Sequence, residues 1–150
     1  KLVKIPGLDG TGKMGKSAGD KNAVFLADSP EVITKKVMRA VTDGGPTKMN
    51  EQKPESVQNL FTILEAVSTQ DTLSHFEDAY NKCTIRYGDL KKQLAQDIIS
   101  FTAPIRERII EISGDKTYLK KVLKEGAEKA RESGGKTVSE VREIIGFRAF

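Results

Sequence analysis

From Leu90 to Ile112 apolar residues return at the spacing of an α-helix: Leu90, Leu94, Ile98, Phe101, Ile105, Ile109 and Ile112 fall on one face. Strand side chains alternate at period two, so a stripe of this period commits the segment to a helix that packs on something. Ile99 and Ile110 lie on the opposite side, which predicts packing on two faces. Pro104 sits inside the stripe and is expected to kink or break it, because it removes one backbone donor and crowds the preceding turn.

The same period recurs on both sides of that segment. Val57, Leu60, Phe61, Leu64 and Val67 predict one helix, and Leu73, Phe76 and Tyr80 predict a shorter one over 71–82. Ser29-Pro30-Glu31 reads as a helix start: a capping serine, proline in the first turn, then an acid at the positive end of the dipole. That helix is expected to reach about Thr42, with Ile33, Val37, Ala40 and Val41 inward, and to end at Asp43-Gly44-Gly45-Pro46. Leu119, Val122, Leu123, Ala127 and Ala130 predict a further helix. Val138, Val141, Ile144 and Ile145 predict a last one, closed by Gly146. Ahead of residue 28, LVKI at 2–5 is expected to form a short strand and AVFL at 23–26 a strand or turn; no alternating run follows. The fold expected is mainly α, a helical bundle preceded by a short strand and loop.

A chain of 150 residues, 37% hydrophobic and 31% charged, is long and apolar enough for a soluble domain with a real core. No apolar run approaches the roughly 20 residues of a membrane span, and the start KLVKIPGLDG is too short and polar for a secretory signal. The single cysteine, Cys83, can make no internal disulfide, which points to a reducing compartment. The single histidine, His75, lies in the predicted helix LSHFE and gives Cys83 no convincing catalytic partner; one of each leaves no zinc-ligand spacing, so no metal-binding residues are predicted. Residues 1–50 carry 9 basic and 5 acidic side chains, 51–90 carry 3 and 7, and 91–150 carry 13 and 9. Basic ends around an acidic middle permit a polyanionic partner without requiring one.

Between Pro6 and Asn22 the chain holds five glycines and the stretch GTGKMGKS, Gly10 to Ser17. By spacing this satisfies the G-x-x-x-x-G-K-[ST] pattern of a phosphate-cradling P-loop. Such a loop needs a buried strand before it and a helix beginning at its Lys-Ser end. Here Pro6 and Gly7 separate LVKI from the glycines, AGDKN after Ser17 is a poor helix start, and no βαβ alternation follows. The pattern matches in letters and fails in context.

Read from Lys13, the same letters are KMGKS, which resembles the KMSKS signature of class I aminoacyl-tRNA synthetases. PGLDGTGKMGKSAGDKN, LADSPEVITKKVMRAVTD and EGAEKARESGGKTVSEVREIIGF follow in the order found in the C-terminal part of bacterial-type tryptophanyl-tRNA synthetases, and together they span about the whole chain. The tyrosyl enzymes share the loop and the following helix. The resemblance implies residues 1–28 as the end of a Rossmann-type catalytic domain and 29–150 as a helical, anticodon-binding domain. It implies ATP and tryptophan as substrates of adenylate formation, Mg²⁺ accompanying ATP, transfer to tRNA(Trp), a cytoplasmic homodimer and no membrane. Lys13 and Lys16 would meet the charge developing on pyrophosphate, with Met14, Gly15 and Ser17 completing the ATP-binding loop. Ser17 can add a hydroxyl donor, Met14 is expected to anchor the loop on an apolar surface, and the glycines allow opening and closing. Thr42-Asp43 is expected to end the helix and brace the loop's support.

Two departures stand out. Gly15 replaces the usual serine, removing a hydroxyl and freeing the backbone. The other class I signature, HIGH, needs histidines upstream, whereas His75 lies downstream; the chain is therefore expected to be a fragment without a complete active site. In the helical remainder, Lys120, Lys124 and Arg131 share a narrow arc, with Lys121 beside it, and Lys35, Lys36 and Arg39 make a similar stripe; both are placed to meet tRNA phosphates or simply to face water. The alternative to a ligase is a helical RNA- or protein-binding module without chemistry.

Overall fold

A computed structural model of the chain describes residues 4–10 and 12–147. The described residues form five α-helices: α1 Pro30–Met38, α2 Glu55–Val67, α3 Gln70–Asn81, α4 Tyr87–Gly114 and α5 Lys116–Ile144. They fall into two compact units, residues 1–107 and 108–150. The fold is mainly α, as the periodicity predicts. Of the expected strand at 2–5, residues 2 and 3 lie outside the described residues, while Lys4 and Ile5 are not in a strand; AVFL is also strand-free and ends in a turn.

The first unit has one core. Ile33 and Val37 of α1, Val57, Leu60, Phe61, Ile63 and Leu64 of α2, Phe76 and Tyr80 of α3, and Leu90, Leu94, Ala95 and Ile98 of α4 close around it, joined by Leu8 from the N-terminal loop. The Phe61 and Tyr80 rings meet edge to face, 6.1 Å between centroids. Side chains that cap the helices start them where the sequence indicates. Ser29 Oγ accepts the Val32 N–H at 3.4 Å with Pro30 in the first turn, and Thr69 Oγ1 accepts that of Thr72 at 3.3 Å.

Three expectations are corrected. α1 ends at Met38, short of Thr42: the Arg39 and Ala40 N–H groups bond to carbonyls three residues back, and the Val41 N–H leaves the helix to donate to the Leu8 carbonyl at 3.0 Å. Ala40 is buried, but Val41 is 48% exposed. Pro104, expected to kink or break the helix, does not break α4, which runs on to Gly114. The stripe is nevertheless buried only as far as Ile98; Phe101 is 56% exposed and Ile105 40%.

The second unit contains the end of α4 and α5. The two helices predicted at its end are one, running through Gly134 and Gly135; Asp115 caps it, its side chain accepting the Tyr118 N–H at 2.9 Å. Gly146, at φ +75°, closes it: the Gly146 N–H donates to the Glu143 carbonyl and the Phe147 N–H to that of Arg142. The apolar stripe of α5 is not buried as its period predicts; Leu123 is 71% exposed and Ile144 84%.

Candidate functional site

The KMGKS loop is stitched to the core at its base. The Met14 N–H donates to the Ile5 carbonyl at 2.8 Å, and Pro6 and Lys13 face each other as an isolated antiparallel bridge. Asn22, buried to 3% exposure, closes the other side: its backbone carbonyl accepts the Leu8 N–H at 3.0 Å and its side-chain Oδ1 the Asp9 N–H at 3.1 Å. Since Leu8 also accepts from Val41, one core residue ties together the loop's entry, its return and the segment after α1. Gly10 is required here. Its φ is +81°, and a Cβ would lie 2.8 Å from that of Ser56. Nothing in the sequence singled out Asn22, because one asparagine after a glycine-rich run carries no period or spacing.

Past this base, Lys13, Lys16 and Ser17 are exposed, and among the described residues neither lysine pairs with a carboxylate. Met14, half-buried, packs against the core and lines an apolar groove of about 220 Å³ with Ile5, Val24, Leu26, Ile98 and Phe101. Gly15 has extended backbone, φ −176°, that any residue adopts, and a side chain there would meet nothing within 4 Å. The local geometry therefore accepts the serine that Gly15 replaces. Lys16–Ala18 form only a single 3₁₀ turn, and among the described residues no strand precedes it and no α-helix begins at it. The context of a P-loop is missing.

The stripe on α1 is not what its spacing implies. Lys35 and Arg39 are exposed, but Lys36 is buried, its Nζ donating to Asp28 Oδ2 at 2.8 Å and Asp20 Oδ1 at 3.0 Å and lying 4.5 Å from the Phe25 ring centre. Burial pushes its pKa down, yet the hydrogen bonds it donates to the two carboxylates, with their charge, together outweigh burial and hold it above the ordinary lysine value. Asp28 also accepts the Phe25 N–H at 2.9 Å. Lys36 is thus a clamp on the loop's return and not a free cation.

Residues 40–43 are held from α4. Lys91 Nζ donates to the Ala40 carbonyl at 2.7 Å and to Thr42 Oγ1 at 3.1 Å, and the Tyr87 hydroxyl donates to Asp43 Oδ1 at 2.6 Å. Burial and the bond to Asp43 push the Tyr87 pKa far above that of free tyrosine; burial pushes Lys91 down. Thr42 and Asp43 brace the segment that meets Leu8, although α1 ends before them. On α5, Lys120, Lys124 and Arg131 are exposed without an ion pair among the described residues, whereas Lys121 lies 3.9 Å from Glu125. His75 and Cys83 are exposed and far apart in role, the first stacked edge-on to Phe76. Among the described residues no group of three His, Cys, Asp or Glu is placed to hold a metal, and no helix is long and apolar enough to cross a membrane.

A lysine-bearing loop stitched to a helical core defines a class, and sequence comparison agrees. The chain belongs to the class I tRNA synthetases of the tryptophan and tyrosine type: the family described as "tRNA synthetases class I (W and Y)" matches residues 4–103. Its relatives include the tryptophan–tRNA ligase of Porphyromonas gingivalis, 61% identical over 146 residues, which cover 97% of this chain and 44% of that protein. The ligase of Clostridium longisporum is 36% identical over 150 residues, 99% of this chain and 43% of that one. In fold, the chain is similar to the tryptophanyl-tRNA synthetase of Campylobacter jejuni solved with ADP and tryptophan, at a TM-score of 0.73 and 24% identity over 97% of this chain and 44% of that one. The tyrosyl-tRNA synthetase of Aeropyrum pernix gives 0.58 at 25% identity over 78% and 37%. The chain spans less than half the length of the curated relatives it matches.

Proposed function

We propose that this chain supplies the phosphate-facing loop and the helical domain of a tryptophan–tRNA ligase. The whole enzyme joins tryptophan to ATP as tryptophanyl-adenylate with release of pyrophosphate, then passes the tryptophanyl group to tRNA(Trp). The observation that carries this reading is the contrast within the loop. Its base is fixed by Leu8 and Asn22, Met14 is seated on apolar surface, and among the described residues Lys13 and Lys16 stand free of carboxylates. Cations so held meet the charge that builds on the β- and γ-phosphates of the substrate Mg²⁺–ATP as the bond to the α-phosphate breaks. Ser17 adds a hydroxyl donor, and the backbone of Met14 and Gly15 lines the nucleotide. Residues 1–28 end the catalytic domain and 29–150 form the tRNA-facing one, with Lys120, Lys124 and Arg131 as its phosphate contacts. The working enzyme is a cytoplasmic homodimer whose remaining active-site groups lie outside these 150 residues.

The test is Lys16→Ala in the intact enzyme. Tryptophan-dependent ATP–pyrophosphate exchange should fall on the order of 10²–10³-fold, with tryptophan binding little changed. Exchange at the parental rate would remove Lys16 from the mechanism.

A further inference from the structure

Beside the loop's return lies a cleft of about 250 Å³, lined by Asp20, Lys21, Val32, Lys35, Lys36 and Arg39. Four of the six side chains are cationic and one is anionic. The anion is already satisfied, because Asp20 accepts from Lys36, whose second bond goes to Asp28. Lys21, Lys35 and Arg39 remain. All three are exposed, and none has a carboxylate partner among the described residues. Lys35 on α1 and Arg39 at its C-cap stand one turn apart, and Lys21 faces them from the loop, so three uncompensated cations converge on one concavity from two segments. The buried Lys36 bonds hold those segments together, which fixes the cleft's width.

We infer that this cleft binds the phosphodiester backbone of an RNA strand, an inference that rests on the tRNA-ligase function proposed above. A backbone fits better than a free nucleotide. No ring lines the cleft to stack a base, and the nearby Phe25 ring is occupied by Lys36 Nζ at 4.5 Å. The cleft reads charge and not sequence. Lys21 lies on the same loop as Lys16, so RNA held here sits against the return arm of the loop that faces ATP.

Each phosphate contact of this kind contributes about one to the slope of log affinity against log salt. The test combines Lys21→Gln, Lys35→Gln and Arg39→Gln in the intact enzyme and compares it with a control carrying Lys48→Gln, Arg86→Gln and Lys92→Gln. Binding of tRNA(Trp) is measured across salt and ATP–pyrophosphate exchange beside it. The cleft variant's slope should be smaller by about 2.7, so that a fourfold rise in salt weakens it roughly 40-fold less than the parent, with exchange unchanged. An unaltered slope overturns the inference, as does an equal loss in the control, which would mean bulk charge. Lost exchange with the slope retained overturns it too, since the cleft would then serve the nucleotide. A parent without exchange refutes the ligase function, while its tRNA slope still decides the cleft.

Discussion

Replacing Lys36 by Met keeps an apolar stem in place and removes the charge that two aspartates share. The bond to Asp20 matters least: that carboxylate is 75% exposed, and an ion pair so placed contributes about 0–1 kcal/mol. Asp28 is only 15% exposed. Leaving a buried carboxylate without its cation costs about 3–5 kcal/mol, lessened here by the Phe25 N–H that Asp28 retains. The lost contact with the Phe25 ring adds on the order of 0.5–1 kcal/mol. The sum is about 3 kcal/mol, or a fall in melting temperature of roughly 12 °C or more for a unit of this size. Adding Asp28→Asn removes the stranded charge and should recover about 2 kcal/mol, whereas Asp20→Asn alone should cost about 1 kcal/mol or less. Urea unfolding followed by circular dichroism measures all three against the parent. If Lys36→Met costs no more than Asp20→Asn, or if Asp28→Asn brings no recovery, the clamp is not what holds the loop's return. The pH dependence has a definite sign. The folded-state pKa of Lys36 is raised, so its stabilisation is complete below the ordinary lysine pKa and is lost only as pH climbs through the higher folded value.

Gly15→Ser should change stability by less than about 0.5 kcal/mol, because its backbone is extended and its surroundings open, whereas Gly10→Ala should cost more than about 1 kcal/mol through its positive φ and the contact with Ser56; paired urea curves distinguish them. Tyr87, whose pKa is raised by burial and by Asp43, makes the fold less stable as pH rises above about 10, and Tyr87→Phe should blunt that alkaline loss in melting temperature. Lys91, pushed down by burial, works in the opposite direction. Gly134→Ala and Gly135→Ala, with open space around both, should each stabilise α5 by about 1 kcal/mol, read as increased amide-exchange protection around residue 134.

The helices were legible because their cause is local and periodic. Ser29-Pro30-Glu31 marks a helix start whatever lies around it, and Phe61, Tyr80 and Leu94 face inward because their neighbours at three and four residues do. Errors fall where a distant partner decides. α1 stops early because Val41 donates to Leu8, 33 positions upstream, and no window along the sequence contains both. Lys36 has the spacing of a solvent-facing cation, but Asp20 and Asp28 take it inside. In the loop, KMGKS could be read from its residue types in order, whereas Asn22 acts through one side-chain carbonyl that only the folded turn brings to Asp9. The apolar positions at 119–130 and 138–145 predict two helices, yet the two glycines between them, Gly134 and Gly135, are too few to interrupt a segment whose other residues favour a helix.

The bridge between Pro6 and Lys13 makes the two loop lysines unequal. The backbone beside Lys13 is bonded across the bridge to Ile5, outside the loop, while the Lys16 carbonyl accepts from the Gly19 N–H, within it. One cation is a post and the other a flag: any swing of the loop in the proposed ligase would carry Lys16 further than Lys13. In the ligase proposed above, the phosphate chain of ATP would be met first at the tethered lysine and second at the freer one.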